Sequence, residues 1–284
     1  MALTPGGPAS WKAFELVFHP WLRRKVAGIH LAGLPPEGSL SLGDPDPARR
    51  DPSREPRLTG DSMNLEKASI PLILVGNHVS WFDGFLLREV QRRLRPRSIL
   101  RTVMLSSELR WNPVLRSLGG TGFDPARPIS LRGVIRTLRS VRDHDRRRRG
   151  LVVSFFPQGR IYPSFRRPLG FAAGVEIVAR TLAPCRVMGV GIHLEPGNRV
   201  APSAFVHGSP PRFVDAQTAL DVERLEGDVA DALDRVHHHL AVHGERGPDR
   251  WPSEATAVLD PPPPSGGRFP GTPGGPGQSS ESTS

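Results

Sequence analysis

A histidine and an aspartate five positions apart, His78 and Asp83, are the residues of this chain best suited to acid–base chemistry. The carboxylate can accept the proton on one nitrogen of the imidazole, which fixes the tautomer and the plane of the ring. The other ring nitrogen is then free to take a proton from a substrate hydroxyl. On a continuous helix two residues five apart point to different faces, so the pair converges only if a turn intervenes. The spacing therefore predicts a general base at a turn.

The elements on either side of the pair supply such a turn. Residues 70–76 form an apolar run typical of a buried strand, and the residues from Gly84 onward have the spacing of an amphipathic helix. A purely structural interpretation stays open beside the catalytic one. Asp83 can cap the helix, and His78 can be a polar residue at the end of a strand. Capping and catalysis are compatible with each other.

The sequence from Asn77 to Asp83, Asn-His-Val-Ser-Trp-Phe-Asp, resembles the H-x-x-x-x-D signature of the glycerolipid acyltransferases. This family includes 1-acylglycerol-3-phosphate acyltransferase. The resemblance implies that His78 and Asp83 are catalytic in the transfer of a fatty acyl group from a thioester to a lipid hydroxyl. The attacked carbonyl then needs oxyanion donors, for which Asn77 and backbone amides after Asp83 or near Gly159 are the options.

A second block of the resemblance follows the apolar run 151–156, where the family carries Phe-Pro-Glu-Gly-Thr-Arg-Ser and binds the phosphate of the acceptor. It implies substrate binding by four residues, Pro157, Gln158, Gly159 and Arg160. The chain departs from the pattern because Gln158 replaces the Glu. The cation, Arg160, stands one position early, and Ile161 takes the place of the Arg. An ordinary strand-ending turn is the alternative.

Two looser blocks complete the resemblance, which runs from about residue 70 to residue 192. Residues 118–127 are similar to the family segment Gly-x-Ile-Phe-Ile-x-Arg, although Arg127, a further substrate-binding candidate, lies two positions late. Residues 187–192 take the place of the fourth block without its proline, and they are typical of a core strand.

Apolar runs alternate with amphipathic segments along the middle of the chain. Strands are expected at residues 70–76, 99–105, 151–156, 186–192 and 203–207, and helices at residues 84–94, 107–118, 129–144, 170–182 and 220–242. This alternation predicts an α/β fold. The resemblance implies that its sheet is mixed, largely parallel and covered by helices, glycerolipid acyltransferase-like. Sites in such sheets lie at the carboxyl ends of the strands, where both strong blocks fall.

The rest of the chain divides into an N-terminal segment, an insertion and a tail. Residues 1–34 form an amphipathic helical segment whose apolar stripe is Trp11, Phe14, Phe18, Leu22, Val26 and Ile29. Cations lie off this stripe, so we expect two short helices, broken at Pro20, on an anionic membrane. Packing of the stripe against the protein's own sheet is the alternative. We expect residues 35–69 to be a flexible Pro-rich insertion, residues 70–243 the acyltransferase domain, and residues 244–284 a disordered Pro/Gly/Ser-rich tail.

The composition limits the partners and the chemistry. The chain has 284 residues and a net charge of +10, mostly from arginine, which favours anionic partners such as lipid headgroups, coenzyme A or an acidic carrier protein. A single cysteine, Cys185, excludes an internal disulfide and a cysteine metal cluster, and we expect it to be core filler. The sequence has no apolar run long enough to predict a transmembrane helix, and we expect no signal peptide.

Two rival sites are weaker than the acyltransferase blocks. Gly60-Asp61-Ser62 and the pair Asp234 and His237 imitate blocks of an esterase family, but a polar loop rather than a strand precedes Ser62. A group of histidines suggests zinc: His237, His238, His239 and His243. Their neighbours include no acidic or cysteine ligand at metal spacing, so we expect solvent-exposed histidines.

These observations predict a peripheral O-acyltransferase on the inner, cytoplasmic face of a membrane. Its donor is expected to be acyl-CoA or acyl carrier protein, and its acceptor a lysophospholipid or another lipid. We expect no cofactor, no metal ion and no nucleic acid to take part. No covalent acyl-enzyme is needed, because a thioester is already activated. The alternative is a non-catalytic lipid-binding or scaffold protein that retains the acyltransferase fold.

Overall fold

Runs of Val, Ile and Leu form the central strands, because such residues fill a pleated surface that is covered on both faces. The computed structural model describes residues 5–35, 70–145, 149–197, 200–244 and 247–251. Within these ranges the strands are β1 (Gly28–Ala32), β2 (Leu72–Gly76), β3 (Ile99–Leu105), β4 (Gly120–Phe123), β5 (Leu151–Phe155), β6 (Cys185–Glu195), β7 (Ser203–Gly208) and β8 (Arg212–Val214). The helices are α1 (Pro8–Lys25), α2 (Asp83–Leu94), α3 (Ser106–Trp111), α4 (Val114–Ser117), α5 (Ser130–Asp145), α6 (Gly174–Leu182), α7 (Val222–His243) and α8 (Gly247–Arg250).

The strands form one eight-stranded sheet in the order β1-β7-β6-β2-β5-β3-β4, and β8 pairs with β6. The run β6-β2-β5-β3-β4 is parallel throughout, whereas β7 and β8 are antiparallel to β6, and β1 is parallel to β7. The predicted mixed, largely parallel sheet covered by helices is confirmed. The carboxyl ends of β2, β5 and β6 therefore meet along one edge of the sheet, which we call the carboxyl edge.

Helices cover both faces of the sheet, and alternate residues of each strand divide between two cores. Leu72 and Leu74 of β2 face a core that contains residues of α1 and α2, whereas Ile73 and Val75 face a core with residues of α5, α6 and α7. α7 approaches β6 closely at Gly191, where an added Cβ would lie 2.8 Å from the backbone nitrogen of Leu233. Glycine at this position lets the helix and the strand come together.

All five predicted strands and most of the predicted helices are present, together with three strands that were not expected. The predicted helix 107–118 is two helices, because the Asn112-Pro113 step ends α3 before α4 begins at Val114. The predicted helix 170–182 begins only at Gly174, and the residues before it belong to the loop after β5. The unexpected strands β1, β4 and β8 are short, so their periodicity is weak.

The helical part of the N-terminal segment is one continuous helix rather than two, and its apolar side packs inside the protein. Ile29 of the predicted stripe lies beyond this helix, in β1. α1 continues through Pro20 to Lys25. Trp11, Leu22 and Val26 are at most 4% exposed and belong to the core on the α2 face of the sheet. For these residues the expected membrane contact is therefore wrong. The periodicity of the stripe is real, but the surface that it meets is the protein's own core.

Some of the predicted organisation lies outside the described residues, namely residues 36–69 with the esterase-like Ser62, residues 252–284 and the side chain of Phe18. The predicted tail starts too early at residue 244. α8 follows that position, and Trp251 is buried against Phe205, with 5.1 Å between the ring centroids. Among the described helices, none is both long and apolar enough to span a membrane.

Replacing Leu22 by Ala is expected to lower the free energy of unfolding by about 2–5 kcal/mol, because this leucine lies in the core. The same change at Leu16, on the same helix but 75% exposed, should cost no more than about 0.5 kcal/mol. Urea unfolding of the two variants, followed by circular dichroism, measures the difference. Equal stability of both variants would contradict the packing of α1 on the core.

Candidate active site

The turn between β2 and α2 brings His78 and Asp83 together. β2 ends at Gly76, α2 begins at Asp83 itself, and His78 Nδ1 lies 2.8 Å from Asp83 Oδ2. Asp83 is fully buried, while the side chain of His78 is 23% exposed. With Asp83 as the acceptor, Nδ1 carries the proton of the neutral ring and Nε2 is left as the basic nitrogen. The ring stacks on Phe156 at 4.7 Å between centroids, which restricts its rotation.

Asp83 also organises the backbone of the turn. Its Oδ2 accepts hydrogen bonds from the N–H groups of Val79 (2.6 Å) and Ser80 (2.8 Å), and its Oδ1 accepts one from the Ser80 hydroxyl. The helix cap considered for Asp83 is wrong, because Phe82 is the N-cap and the carboxylate turns back to the preceding residues. One buried carboxylate thus holds both the imidazole and the loop that carries it.

Asn77 ties the turn to β6. Its side-chain amide donates to the carbonyl of Ile192 (2.9 Å), and its Oδ1 accepts from the N–H of the same residue (2.7 Å). Asn77 is buried. Both polar atoms of its side chain bond to Ile192, so these contacts favour a structural role for Asn77 over that of an oxyanion donor.

The loop after β5, residues 156–173, lies against this turn. Gln158 Oε1 accepts a hydrogen bond from the N–H of His78 (2.7 Å), and the His78 carbonyl accepts one from the N–H of Tyr162 (2.8 Å). Gly159 has a φ of +64°, which favours glycine, and its N–H donates to the Phe156 carbonyl. The structure therefore places the Pro-Gln-Gly block beside His78, and these hydrogen bonds hold the loop in its conformation.

The two arginines predicted to bind substrate lie at different places on the surface. Arg160 is exposed in this loop beside Ile161, which is 52% exposed. The side chain of Arg127 is 80% exposed beyond the end of β4 and lies 4.0 Å from Asp124. β4 is the third strand from β2, roughly 14 Å across the sheet. The structure thus places Arg160 near the turn that carries His78 and Arg127 away from it.

A polar network that sequence reasoning missed fastens the outer part of the loop to β6 and α7. The buried hydroxyl of Ser164 lies 2.7 Å from His193 Nδ1 and 3.4 Å from His237 Nε2. Arg167 forms an ion pair with Asp234 of α7. Burial, together with His193 and Arg167 nearby, lowers the pKa of His237. The histidines are 29 and 73 positions from Ser164, so no local pattern marks them.

The rival sites do not assemble in the part of the chain that the structure describes. Asp234 forms an ion pair with Arg167 and His237 contacts Ser164, so both residues of the esterase-like pair belong to the polar network of the loop. The described residues contain no group of three or more His, Cys, Asp or Glu side chains placed to hold a metal ion. Burial raises the pKa of the Cys185 thiol to about 12, so this thiol stays protonated at neutral pH and is a poor nucleophile.

Comparison with known proteins agrees with this geometry. No curated protein matches the chain. A family model described as Acyltransferase matches residues 58–194, a span that contains the turn after β2, the loop after β5 and most of β6. Over these residues the chain belongs to the acyltransferase family, that of the glycerolipid acyltransferases.

Proposed function

We propose that the protein transfers a fatty acyl group from the thioester of acyl-CoA or acyl carrier protein to a hydroxyl of a lysophospholipid or another lipid. Membership of the family supports acyl transfer in general. The observation that carries the choice of a hydroxyl acceptor is the His78–Asp83 pair, with Nδ1 bonded to a buried carboxylate and Nε2 left to accept a proton. A base of this kind deprotonates an alcohol as its oxygen attacks.

In the proposed reaction, His78 Nε2 removes the proton of the acceptor hydroxyl while the oxygen attacks the thioester carbonyl carbon. The tetrahedral intermediate collapses with cleavage of the C–S bond, and the imidazolium returns its proton to the leaving thiolate. Asp83 stabilises the imidazolium, because its carboxylate lies 2.8 Å from Nδ1. Since a thioester is already activated, direct transfer needs no covalent acyl-enzyme.

A non-catalytic lipid-binding or scaffold protein with the same fold is the second candidate. The departures from the family pattern at Gln158 and Ile161 favour it. The hydrogen bonds around Asp83 favour catalysis instead, since a buried charge is unfavourable unless its partners are complete. A buried carboxylate that needs this set of donors, placed beside a partly exposed imidazole, is better explained by catalysis than by packing.

Replacing His78 by Ala is expected to lower the rate of acyl transfer by about 10² to 10⁴, the usual contribution of a general base. Purified protein with radiolabelled acyl-CoA and a panel of hydroxylated lipids, followed by chromatography, measures the product. His144→Ala, a change at an exposed histidine near the end of α5, is the matched control and should keep full activity. Near-normal transfer by His78→Ala would rule out the mechanism. No transfer by the wild type on any lipid would favour the scaffold.

The acceptor is proposed to be less charged than a phosphomonoester. Ile161 takes the place of the family's Arg, and both polar atoms of the Gln158 side chain bond to protein backbone. Loss of a guanidinium removes the bidentate hydrogen bonds that a phosphate would use. Arg160 is exposed one position earlier, and adjacent side chains in an extended turn point apart. These features favour a lipid alcohol, such as a glycosylated isoprenoid.

In competition between lysophosphatidic acid and an uncharged lipid alcohol at saturating acyl donor, we expect the higher kcat/KM for the uncharged alcohol. Arg160→Ala should leave this preference unchanged. So should the control Arg180→Ala, since that side chain is 70% exposed on α6. A higher kcat/KM for lysophosphatidic acid that collapses only in Arg160→Ala would mean that Arg160 replaces the missing Arg.

The protein is further proposed to bind an anionic membrane through exposed apolar side chains beside the site. Three of them, which we call the apolar rim, are Trp81 (61% exposed), Ile161 (52%) and Phe165 (75%). Trp81 lies in the same turn as His78, and Ile161 precedes Tyr162, whose N–H donates to the His78 carbonyl. Arg160 and Arg166 in the same loop add positive charge, which suits anionic headgroups.

Trp81→Ala is expected to weaken cosedimentation with anionic vesicles about tenfold or more, because burial of a large apolar side chain contributes roughly 1.5–3 kcal/mol. Added salt should weaken the binding of the wild type, since screening reduces the attraction of its cations. Trp111→Ala is the matched control. This tryptophan is 80% exposed, but it lies toward the amino ends of the strands, away from the carboxyl edge. α3 runs back along β4, with Ser106 beside Gly122 and Leu109 beside Gly120. Equal effects of the two substitutions would contradict the apolar rim.

A further inference from the structure

We propose that Gln158 is a positioning residue that sets the place of His78 through both ends of its side-chain amide, and that an amide rather than a carboxylate is required there. Its catalytic consequence rests on the proposed acyl transfer, whereas its structural basis is the set of hydrogen bonds around the loop. The departure from the family's Glu is then a functional feature of this chain and not a sign of a degraded site.

The Gln158 amide bridges two backbone groups from different parts of the chain. Its Oε1 accepts a hydrogen bond from the His78 N–H at 2.7 Å, and its Nε2 donates one to the Leu169 carbonyl at 2.9 Å. His78 is 80 positions away in the sequence and Leu169 is 11 positions away. Because the amide group is planar, its donor and its acceptor have a fixed relative direction. The bridge therefore sets where the His78 backbone lies relative to Leu169.

The Leu169 end of this bridge is anchored on α7. Leu169 is 1% exposed and packs with two apolar residues of that helix. The next two residues, Gly170 and Phe171, donate backbone hydrogen bonds to the carboxylate of Glu226 on the same helix, at 3.0 and 2.8 Å. Through Gln158, the position of the catalytic turn is thus tied to a packed helix.

The His78 backbone has a second tie to the same loop. Its carbonyl accepts a hydrogen bond from the Tyr162 N–H at 2.8 Å, while Asp83 holds the imidazole at 2.8 Å. Loss of the hydrogen bond to Gln158 leaves the His78 N–H without its acceptor, while the His78 carbonyl still accepts from Tyr162. The histidine can therefore tilt. A displacement of roughly 1 Å in an active site can lower the rate about 100-fold.

A carboxylate could replace only half of the bridge. It would accept from the His78 N–H, but its second oxygen would face the Leu169 carbonyl, which is also an acceptor. Two such oxygens at hydrogen-bond distance repel each other, and the partly buried carbonyl would lose its donor. An ionised Glu therefore does not fit this loop, whereas Gln158 supplies the acceptor and the donor that the two backbone groups require.

Gln158→Glu tests this requirement. We expect kcat to fall about 10- to 100-fold with little change in the KM of the acceptor, because the base moves while no substrate contact is lost. Protonation of the introduced carboxyl would restore a donor toward Leu169. The activity of the variant relative to the wild type should therefore rise as the pH is lowered from about 8 to about 5.

Two further variants make the test specific. Gln158→Met keeps the length of the side chain but has neither strong donor nor strong acceptor, so its relative activity should be low without recovery at low pH. Gln217→Glu makes the same chemical change at an exposed position and should match the wild type. A Gln158→Glu variant as active as the wild type at neutral pH, or one with a raised acceptor KM and unchanged kcat, would overturn the proposal.

Hydrogen exchange of the His78 amide gives a readout that does not depend on activity. We expect faster exchange in Gln158→Met than in the wild type or Gln217→Glu, because the acceptor of this N–H is gone. An unchanged exchange rate would also overturn the proposal. A wild type without acyl transfer would overturn the proposed function, and the exchange rate would then decide separately whether Gln158 holds His78.

Discussion

The buried carboxylate of Asp83 is the group on which the site depends. A charge taken out of water is unfavourable unless donors replace the water. Asp83 obtains these donors from its own turn, namely His78 Nδ1, the N–H groups of Val79 and Ser80, and the Ser80 hydroxyl. The imidazole is therefore one of the groups that stabilise the turn. The hydrogen bonds that form the turn are consequently the ones that orient the imidazole.

The turn must also be held relative to the sheet, and the two strands beside β2 provide the attachment points. Asn77 joins the turn to β6, and the loop after β5 holds the backbone of His78. β6, β2 and β5 are adjacent and parallel, so their carboxyl ends bring the attached residues to one place. The sheet order thus explains how residues more than 100 positions apart, such as Asn77 and Ile192, form one site.

The sequence was sufficient for the parts of the site that are encoded locally. His78 and Asp83 share one turn, and the apolar strand before them is easily recognised. The Ser164, His193 and His237 network joins three distant segments, so neither spacing nor periodicity reveals it. β4 was missed because glycine has a weak strand propensity. Gly120 is nevertheless required, since a Cβ there would lie 2.7 Å from the backbone oxygen of Leu115.

The N-terminal helix illustrates a different limit of sequence reasoning. An amphipathic helix has the same periodicity whether its apolar side meets a bilayer or a protein core, because both are apolar surroundings. Only the exposure of the apolar side chains in the folded protein distinguishes a helix that meets a bilayer from one that packs on the core. Here Trp11 and Leu22 are covered, whereas Trp81 and Phe165 stay exposed on the turn and the loop that hold His78. In the proposed function, a lipid held against these side chains would present its hydroxyl to the base without leaving the interface, so membrane contact and catalysis depend on the same two loops.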